Sequence, residues 1–376
     1  MQKTSIIIVS YNTLELTQLC LMSLREYTPA EMAEIIVVDN ASSDGSREWL
    51  KEQPDIRLIC NEENRGFPQG CNQGMEIAAG DSILLLNSDT IVTANWLQNL
   101  RNALFSSPEV GAVGCVTNNS SNWQKVPINY TTFGQMQEFA AGFNQSNPQK
   151  WEERLMLVGF CLLFKREVYE KIGGLDEIFT PGNYEDDDYC LRISQAGYKL
   201  ILCKDTFIHH FGGGSFIRDD DEAKQKAKEK RSQELAARNR EIFCRKWQLD
   251  SRTYKELSEA FLKIQPDIRP GAAVLEVDCG CGFDLLVLKN LRPDLRLQGI
   301  TSGQGEARVA GRLLPAIHCQ DLEKEIWQYL RGKYAVVILT DWFAGVQNKE
   351  AFLQKIATYL ESGGRIYTRE QVYEVK

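Results

Sequence analysis

Short apolar runs alternate with helical patterns from the start of the chain. Ser5 to Val9, Glu34 to Asp39, Arg57 to Cys60, Ser82 to Asn87 and Gly111 to Val116 read as buried strands, with helices at Leu14 to Arg25, Ser46 to Gln53, Pro68 to Ala79 and Trp96 to Leu104. This alternation predicts an α/β fold, a mostly parallel sheet with helices on both faces. After Pro270 a second rhythm starts, with strands at Ala273 to Asp278, Leu295 to Ile300, Ala316 to Cys319, Tyr334 to Leu339 and Gly364 to Arg369. These suffice for a smaller doubly wound unit, without an antiparallel closing pair.

Two stretches interrupt the alternation. Residues 117 to 154 are rich in Asn, Ser, Gln and Gly with isolated aromatics at Trp123, Tyr130, Phe133 and Phe139, a composition that fits a binding loop or a surface insertion. From Asp219 acids precede bases, Asp219-Asp220-Asp221-Glu222 and then Lys224 to Arg231, which suits the dipole of a solvated helix running past Phe243. The expected organisation is a first domain over 1–218, a helical linker over 219–269 and a second domain over 270–376.

Composition narrows the function classes. Of 376 residues, 43% are hydrophobic and 25% charged, which allows a large core and leaves a disordered reading without support. The longest nearly uncharged apolar stretch, Leu155 to Phe164, is about half of the roughly 20 residues a spanning helix needs. Ile6 to Val9 is too short for the core of a secretory signal, so the protein is expected in the cytoplasm; peripheral membrane association and oligomeric state stay open. Eleven cysteines, an odd number set largely in apolar runs, read as reduced thiols. The spacing of Cys279 and Cys281, with only three histidines in the chain, argues against structural zinc. A net charge of −8 opposes a nucleic-acid surface.

In open α/β sheets ligands gather beyond the carboxyl ends of the strands. Here those ends are polar: Ser10-Tyr11-Asn12, then Asp39-Asn40 followed by Ser42 to Ser46, then Asn87-Ser88-Asp89. Taken alone, Asp39-Asn40 also fits an ordinary strand-to-helix turn with a polar cap. Together with Asn64-Arg65-Gly66-Phe67 and Asn72, the ordered set resembles family 2 glycosyltransferases of the GT-A fold, most closely their rhamnosyltransferase-like branch, over about residues 4 to 216. The resemblance implies that Asp39 holds the base of a nucleotide sugar in a pocket edged by Tyr11 and Asn12. A carboxylate accepts the imide N–H of uracil or thymine, which makes a UDP- or dTDP-sugar the expected donor. Ser10, Asn64, Gly66, Phe67, Asn72, Asn87, Ser88 and Arg192 are further candidates for donor contact.

By the same resemblance Asp89 is the last acid of the family's DxD metal site, with Asn87 in place of the first. Mn²⁺ or Mg²⁺ suits such oxygen ligands. Tyr184-Glu185-Asp186-Asp187-Asp188 matches the acidic motif beside the reacting sugar, which makes Asp186 the expected general base, with Glu185 and Asp188 as further catalytic candidates. The bland alternative is four acids complementing the start of a helix, and helix geometry alone does not choose which of Asp186, Asp187 and Asp188 faces the sugar. His209-His210 before Gly212-Gly213-Gly214 matches a position that helps hold metal or diphosphate, aligning best on His210. The implied activity is metal-dependent inverting transfer to a hydroxyl of a surface glycan or of a protein such as flagellin.

Val274 to Gly282, reading VLEVDCGCG, resembles the first motif of class I methyltransferases, and Tyr334 to Asp341 their fourth strand. Asp278 stands where a glycine is usual, Gly299-Ile300-Thr301 lacks a ribose-binding acid, and no strand is expected beyond the fifth. The second domain therefore reads as a degenerate relative, and S-adenosylmethionine is not an expected cofactor. A bifunctional glycosyltransferase and methyltransferase, or a non-catalytic carbohydrate-binding scaffold, is the alternative.

Overall fold

The computed structural model describes residues 3–212, 222–250, 257–258, 260–264, 268–324, 327, 330 and 332–374. The chain forms two compact units, Met1–Arg240 and Glu241–Lys376. The division falls within a helix, Glu222–Trp247, inside the stretch read from sequence as a linker. Asp219 to Asp221 and Gly213 to Ser215 lie outside the described residues.

The N-terminal unit runs β1 Thr4–Ser10, α1 Leu14–Tyr27, β2 Ala33–Asp39, α2 Ser46–Lys51, β3 Ile56–Cys60, α3 Gly66–Ile77, β4 Ser82–Asn87, β5 Thr90–Ile91 and α4 Trp96–Leu104. It continues with β6 Val110–Val116, α5 Phe133–Phe143, β7 Trp151–Arg154, β8 Cys161–Lys165, α6 Arg166–Ile172, α7 Glu185–Gln195, β9 Lys199–Phe207, β10 His209–His210 and the helix α8 Glu222–Trp247. The main sheet has the order β3-β2-β1-β4-β8-β6-β9-β7. β3, β2, β1 and β4 are mutually parallel, and β8 runs antiparallel between β4 and β6.

The core explains why β1 is a continuous apolar run: both of its faces are covered, as in parallel sheets generally. Ile6 and Ile8 pack with Cys20, Leu21 and Leu24 of α1 and with Trp96 and Leu100 of α4. On the other face α3 lies close to β1 because Gly74 has no side chain. A Cβ there would stand 2.4 Å from Ile7 Cγ2. That close packing fixes where the start of α3, at Gly66, presents its loop.

The C-terminal unit contains β11 Ala273–Val277, α9 Phe283–Leu291, β12 Arg296–Thr301, α10 Gln304–Leu313, β13 Ile317–Cys319, β14 Tyr334–Leu339, α11 Lys349–Ala357, β15 Leu360–Tyr367 and β16 Val372–Glu374. Its sheet order is β13-β12-β11-β14-β15-β16, parallel except for the last pair. The fold expectation, a mostly parallel α/β sheet followed by a smaller second sheet unit, agrees with this architecture.

Three local expectations are corrected. A sixth C-terminal strand exists: β16 pairs antiparallel with β15, Arg365 opposite Glu374, in a segment too short and polar to carry a strand pattern. Residues 117 to 154 are not a plain loop, since they contain α5 and β7. Their aromatics converge, with Tyr130, Phe139 and Phe143 packing on Phe207 at ring separations of 5.1–6.2 Å. The two-residue pair β5–β10 also went unforeseen, being too short to show a period.

No helix among the described residues is long and apolar enough to cross a membrane. All eleven cysteines are free thiols.

Candidate functional site

The carboxyl ends of β1, β2 and β4 form one polar edge. At the end of β2 Asp39 is fully buried, and its Oδ2 accepts from Arg47 Nε at 2.9 Å and from the Ser42 N–H at 3.3 Å. Its Oδ1 is buried without a hydrogen-bond partner. An acceptor-only oxygen left unpaired in the interior costs free energy unless a ligand donates to it. Arg47, the second residue of α2, also donates to the Asn61 carbonyl.

The neighbouring turn is built by asparagines. Asn12, at φ 52° just beyond β1, accepts the Ser43 N–H at 2.7 Å, and its own N–H donates to Ser42 Oγ at 3.0 Å. Asn40 donates to Asn64 Oδ1 and to the Gly66 carbonyl, both at 3.0 Å. Asn64 in turn accepts the Gly66 N–H at 2.9 Å. Gly66 has φ 80°, and a Cβ on it would stand 2.8 Å from Pro181 Cα, so this position needs glycine. The Phe67 N–H donates to the Pro181 carbonyl at 2.9 Å. Tyr11 is exposed at the edge. Ser10 lies beneath it in a hydroxyl cluster with Thr13 and Thr17, and Thr13 reaches Ser88 at 3.3 Å.

At the end of β4 the chain turns into β5, which pairs with β10 and brings together residues more than a hundred positions apart. His210 Nε2 lies 3.2 Å from Asp89 Oδ1 and 3.5 Å from Asn87 Nδ2. His210 Nδ1 lies 2.8 Å from the Asn119 carbonyl, and Asn118 brackets the His210 backbone through its N–H and carbonyl. Burial alone would depress this imidazole, but the Asp89 carboxylate outweighs it and raises the pKa. His209 points elsewhere, its Nδ1 2.6 Å from the Tyr130 hydroxyl among aromatic rings. Burial, reinforced by His210, lowers its pKa to about 4. The geometry thus sets His210, not His209, beside Asp89.

This pair fits a hard divalent cation in donor chemistry: one carboxylate and one imidazole with a carboxamide alongside. Among the described residues no group of three or more His, Cys, Asp or Glu could hold a metal ion.

The acidic motif opens α7 after Asn183 and Tyr184, both at positive φ. Of its four acids Asp186 alone is partly exposed. Its Oδ2 accepts the Gly159 N–H at 2.8 Å, and a Cβ at residue 159 would stand 3.1 Å from Asp186 Cβ. One residue on, the Phe160 carbonyl accepts the Asn87 N–H at 2.9 Å and its ring stacks on His210 at 5.0 Å. Gly159-Phe160 therefore connects Asp186 directly to the Asp89–His210 pair. Glu185 is buried with Oε2 unpartnered, and burial together with Asp186 pushes its pKa well up, which favours a neutral carboxyl.

The remaining candidates are bonded to neighbouring side chains and backbone. Asp188 is fully buried and bonded to Arg192 Nε at 3.0 Å, while Arg192 also donates to the Ile172 carbonyl at 2.8 Å. Asn72 holds the same Gly173–Asp176 loop, accepting the Leu175 N–H at 2.8 Å and donating to the Leu175 carbonyl at 3.0 Å. These bonds tie Asp188 to Arg192, and Arg192 and Asn72 to the segment around Gly173–Asp176. Sequence reasoning missed Arg47 and Asn118, and it marked Gly159 and Phe160 only as part of the family-like run Val158 to Lys165, without a contact assigned to either. Only Gly159, a glycine inside an apolar run, carried a signal for close approach.

Residues 5–173 match the protein-family model described as Glycosyl transferase family 2. Among curated proteins the chain is 24% identical over 194 residues to a glucosyl-dolichyl phosphate glucuronosyltransferase of Haloferax volcanii, covering 49% of this chain and 60% of that protein. It is 26% identical over 182 residues to a low-salt glycan biosynthesis hexosyltransferase of the same organism, covering 46% and 57%. The chain thus spans less than two thirds of either relative. Among solved structures, a mannosyltransferase from Pyrobaculum calidifontis in complex with GDP-Man and Mn²⁺ aligns over 56% of each chain with 25% identity and a TM-score of 0.43.

Proposed function

We propose that the N-terminal unit, whose residues 5–173 match the Glycosyl transferase family 2 model, moves a sugar from a UDP- or dTDP-sugar to a hydroxyl of a glycan or protein, with inversion at the anomeric carbon. The observation that carries this reading is the junction at Gly159-Phe160, which sets a partly exposed carboxylate beside an Asp–His pair.

Asp186 takes the proton from the incoming hydroxyl as its oxygen attacks the anomeric carbon and the bond to the diphosphate breaks. The Gly159 N–H donates to Oδ2 at 2.8 Å and the Asp187 N–H to Oδ1 at 2.9 Å, so both oxygens are oriented and each keeps a further lone pair for the proton. Asp89 and His210 would hold Mn²⁺ or Mg²⁺, which supplies neutralisation of the charge gathering on the departing diphosphate. Asp39 Oδ1 accepts the imide N–H of a pyrimidine base, and Arg47 orients that carboxylate through Oδ2. The buried neutral Glu185 keeps a second negative charge away from Asp186.

Calorimetric titration of UDP-, dTDP- and GDP-sugars with Mn²⁺ or Mg²⁺ tests the donor assignment. One pyrimidine donor binds in a metal-dependent manner, and Asp39→Ala weakens it about tenfold through loss of a charge-assisted hydrogen bond. Preferential binding of a GDP-sugar, or donor affinity unchanged in Asp39→Ala, contradicts it.

A further inference from the structure

The C-terminal unit holds a cavity of about 740 Å³ at the carboxyl ends of β11, β12 and β14. That is where a doubly wound sheet reverses its strand order, and the volume falls in the range of small-molecule sites. The charge of the lining is one-sided. Six carboxylates face it, Asp250, Glu276, Asp278, Asp284, Glu306 and Asp341, and none of the lining residues is Lys, Arg or His.

One of these acids has an unmet requirement. Glu276 sits within β11 at 1% exposure, and its Oε2 is buried with no hydrogen-bond partner. Its neighbour Asp284 is satisfied differently, accepting from Ser258 Oγ at 2.5 Å. Burial, then the Asp284 charge and a side-chain hydrogen bond with Asp284, push Glu276 well up, which favours a neutral carboxyl whose Oε2 still lacks a donor. A donor-bearing cation entering the cavity would satisfy Oε2 and relieve the repulsion together.

The lining also indicates what kind of cation. A phosphate or free carboxylate would meet six acids and no base, which disfavours it. A bare metal ion is too small for this volume, and no cluster of three or more His, Cys, Asp or Glu among the described residues could enclose one. Phe283, Trp342 and Leu257 add apolar wall, suited to a hydrocarbon stem and to contact between an ammonium group and an aromatic face. We infer that this cavity is a second ligand site, taking a small organic ammonium ion whose charged end meets Glu276. The inference goes beyond sugar transfer and does not depend on it.

Isothermal titration of the full chain with putrescine and spermidine tests this, with S-adenosylmethionine and UDP as the competing probes. The amines bind saturably, UDP does not compete for the site, and Glu276→Gln weakens amine binding about tenfold or more while circular dichroism stays unchanged. Asp341→Asn, at an exposed position of the lining, weakens it less and serves if Glu276→Gln does not fold. Asp89→Ala leaves amine affinity unchanged, which separates this site from the transferase edge. Amine binding absent from the folded chain, indifferent to both substitutions, or weaker than S-adenosylmethionine binding would each overturn the inference.

Discussion

At the carboxyl edge of the N-terminal sheet four acids meet a complement: Asp39 meets Arg47, Asp89 meets His210, Asp188 meets Arg192, and Asp186 meets the Gly159 N–H. At the same edge of the C-terminal sheet six acids surround one cavity with no basic residue among its lining. Both edges arise from the same parallel architecture, so the fold offers the place and the local partners decide the chemistry. A mixed edge can hold an anionic diphosphate through a bridging cation. An all-acid edge repels phosphate and attracts amines.

The largest expected effect breaks the mixed edge at its centre. Asp89→Ala lowers sugar transfer by about 10²–10³, the scale of losing one preorganised charge stabiliser, as measured by initial rates in saturating Mn²⁺. Wild-type turnover in that variant would refute the assigned role of Asp89.

Next in size is a change that affects the scaffold of the same edge. Asp188→Asn leaves Arg192 without its buried partner and lowers unfolding free energy by about 2 kcal/mol in urea titration, with donor affinity preserved in the folded fraction. A selective loss of donor binding at unchanged stability would return Asp188 to the ligand site.

How far the sequence exposed these differences depends on the range of each interaction. Strands such as β4 and helices such as α4 were legible to the residue, because periodicity is local. The motifs marked Asp39, Asp89, Asp186 and His210 by type and order. Their partners were not legible: Asn118 and Phe160 reach His210 only through the β5–β10 pair and the β8 approach, contacts spanning 92 residues in the case of Asn118. One helical turn carries Asp186, Asp187 and Asp188, and only the side-chain surroundings of α7 distinguish the partly exposed Asp186 from its buried neighbours. Acid crowding in the C-terminal unit escaped the sequence because Asp250, Glu306 of α10 and Asp341 come from segments far apart along the chain.

The smallest expected effect concerns pH. The folded-state pKa of His209, about 4, lies below the ordinary 6.5, so folding favours the neutral ring. Its contribution to stability is complete above about 6.5 and is lost as pH falls towards 4. Tyr130→Phe alters this pH dependence in equilibrium unfolding, whereas an unchanged profile would place His209 outside the aromatic nest.

The central claim is that Asp186 performs proton transfer at a donor held by the neighbouring pair. Its most direct test is Asp186→Asn, with donor binding and transfer measured on one preparation in Mn²⁺. Metal-dependent donor affinity within a few-fold of wild type, with turnover reduced about 10²–10⁴, is the predicted result. Turnover retained in Asp186→Asn, or lost only in proportion to donor binding, would contradict it.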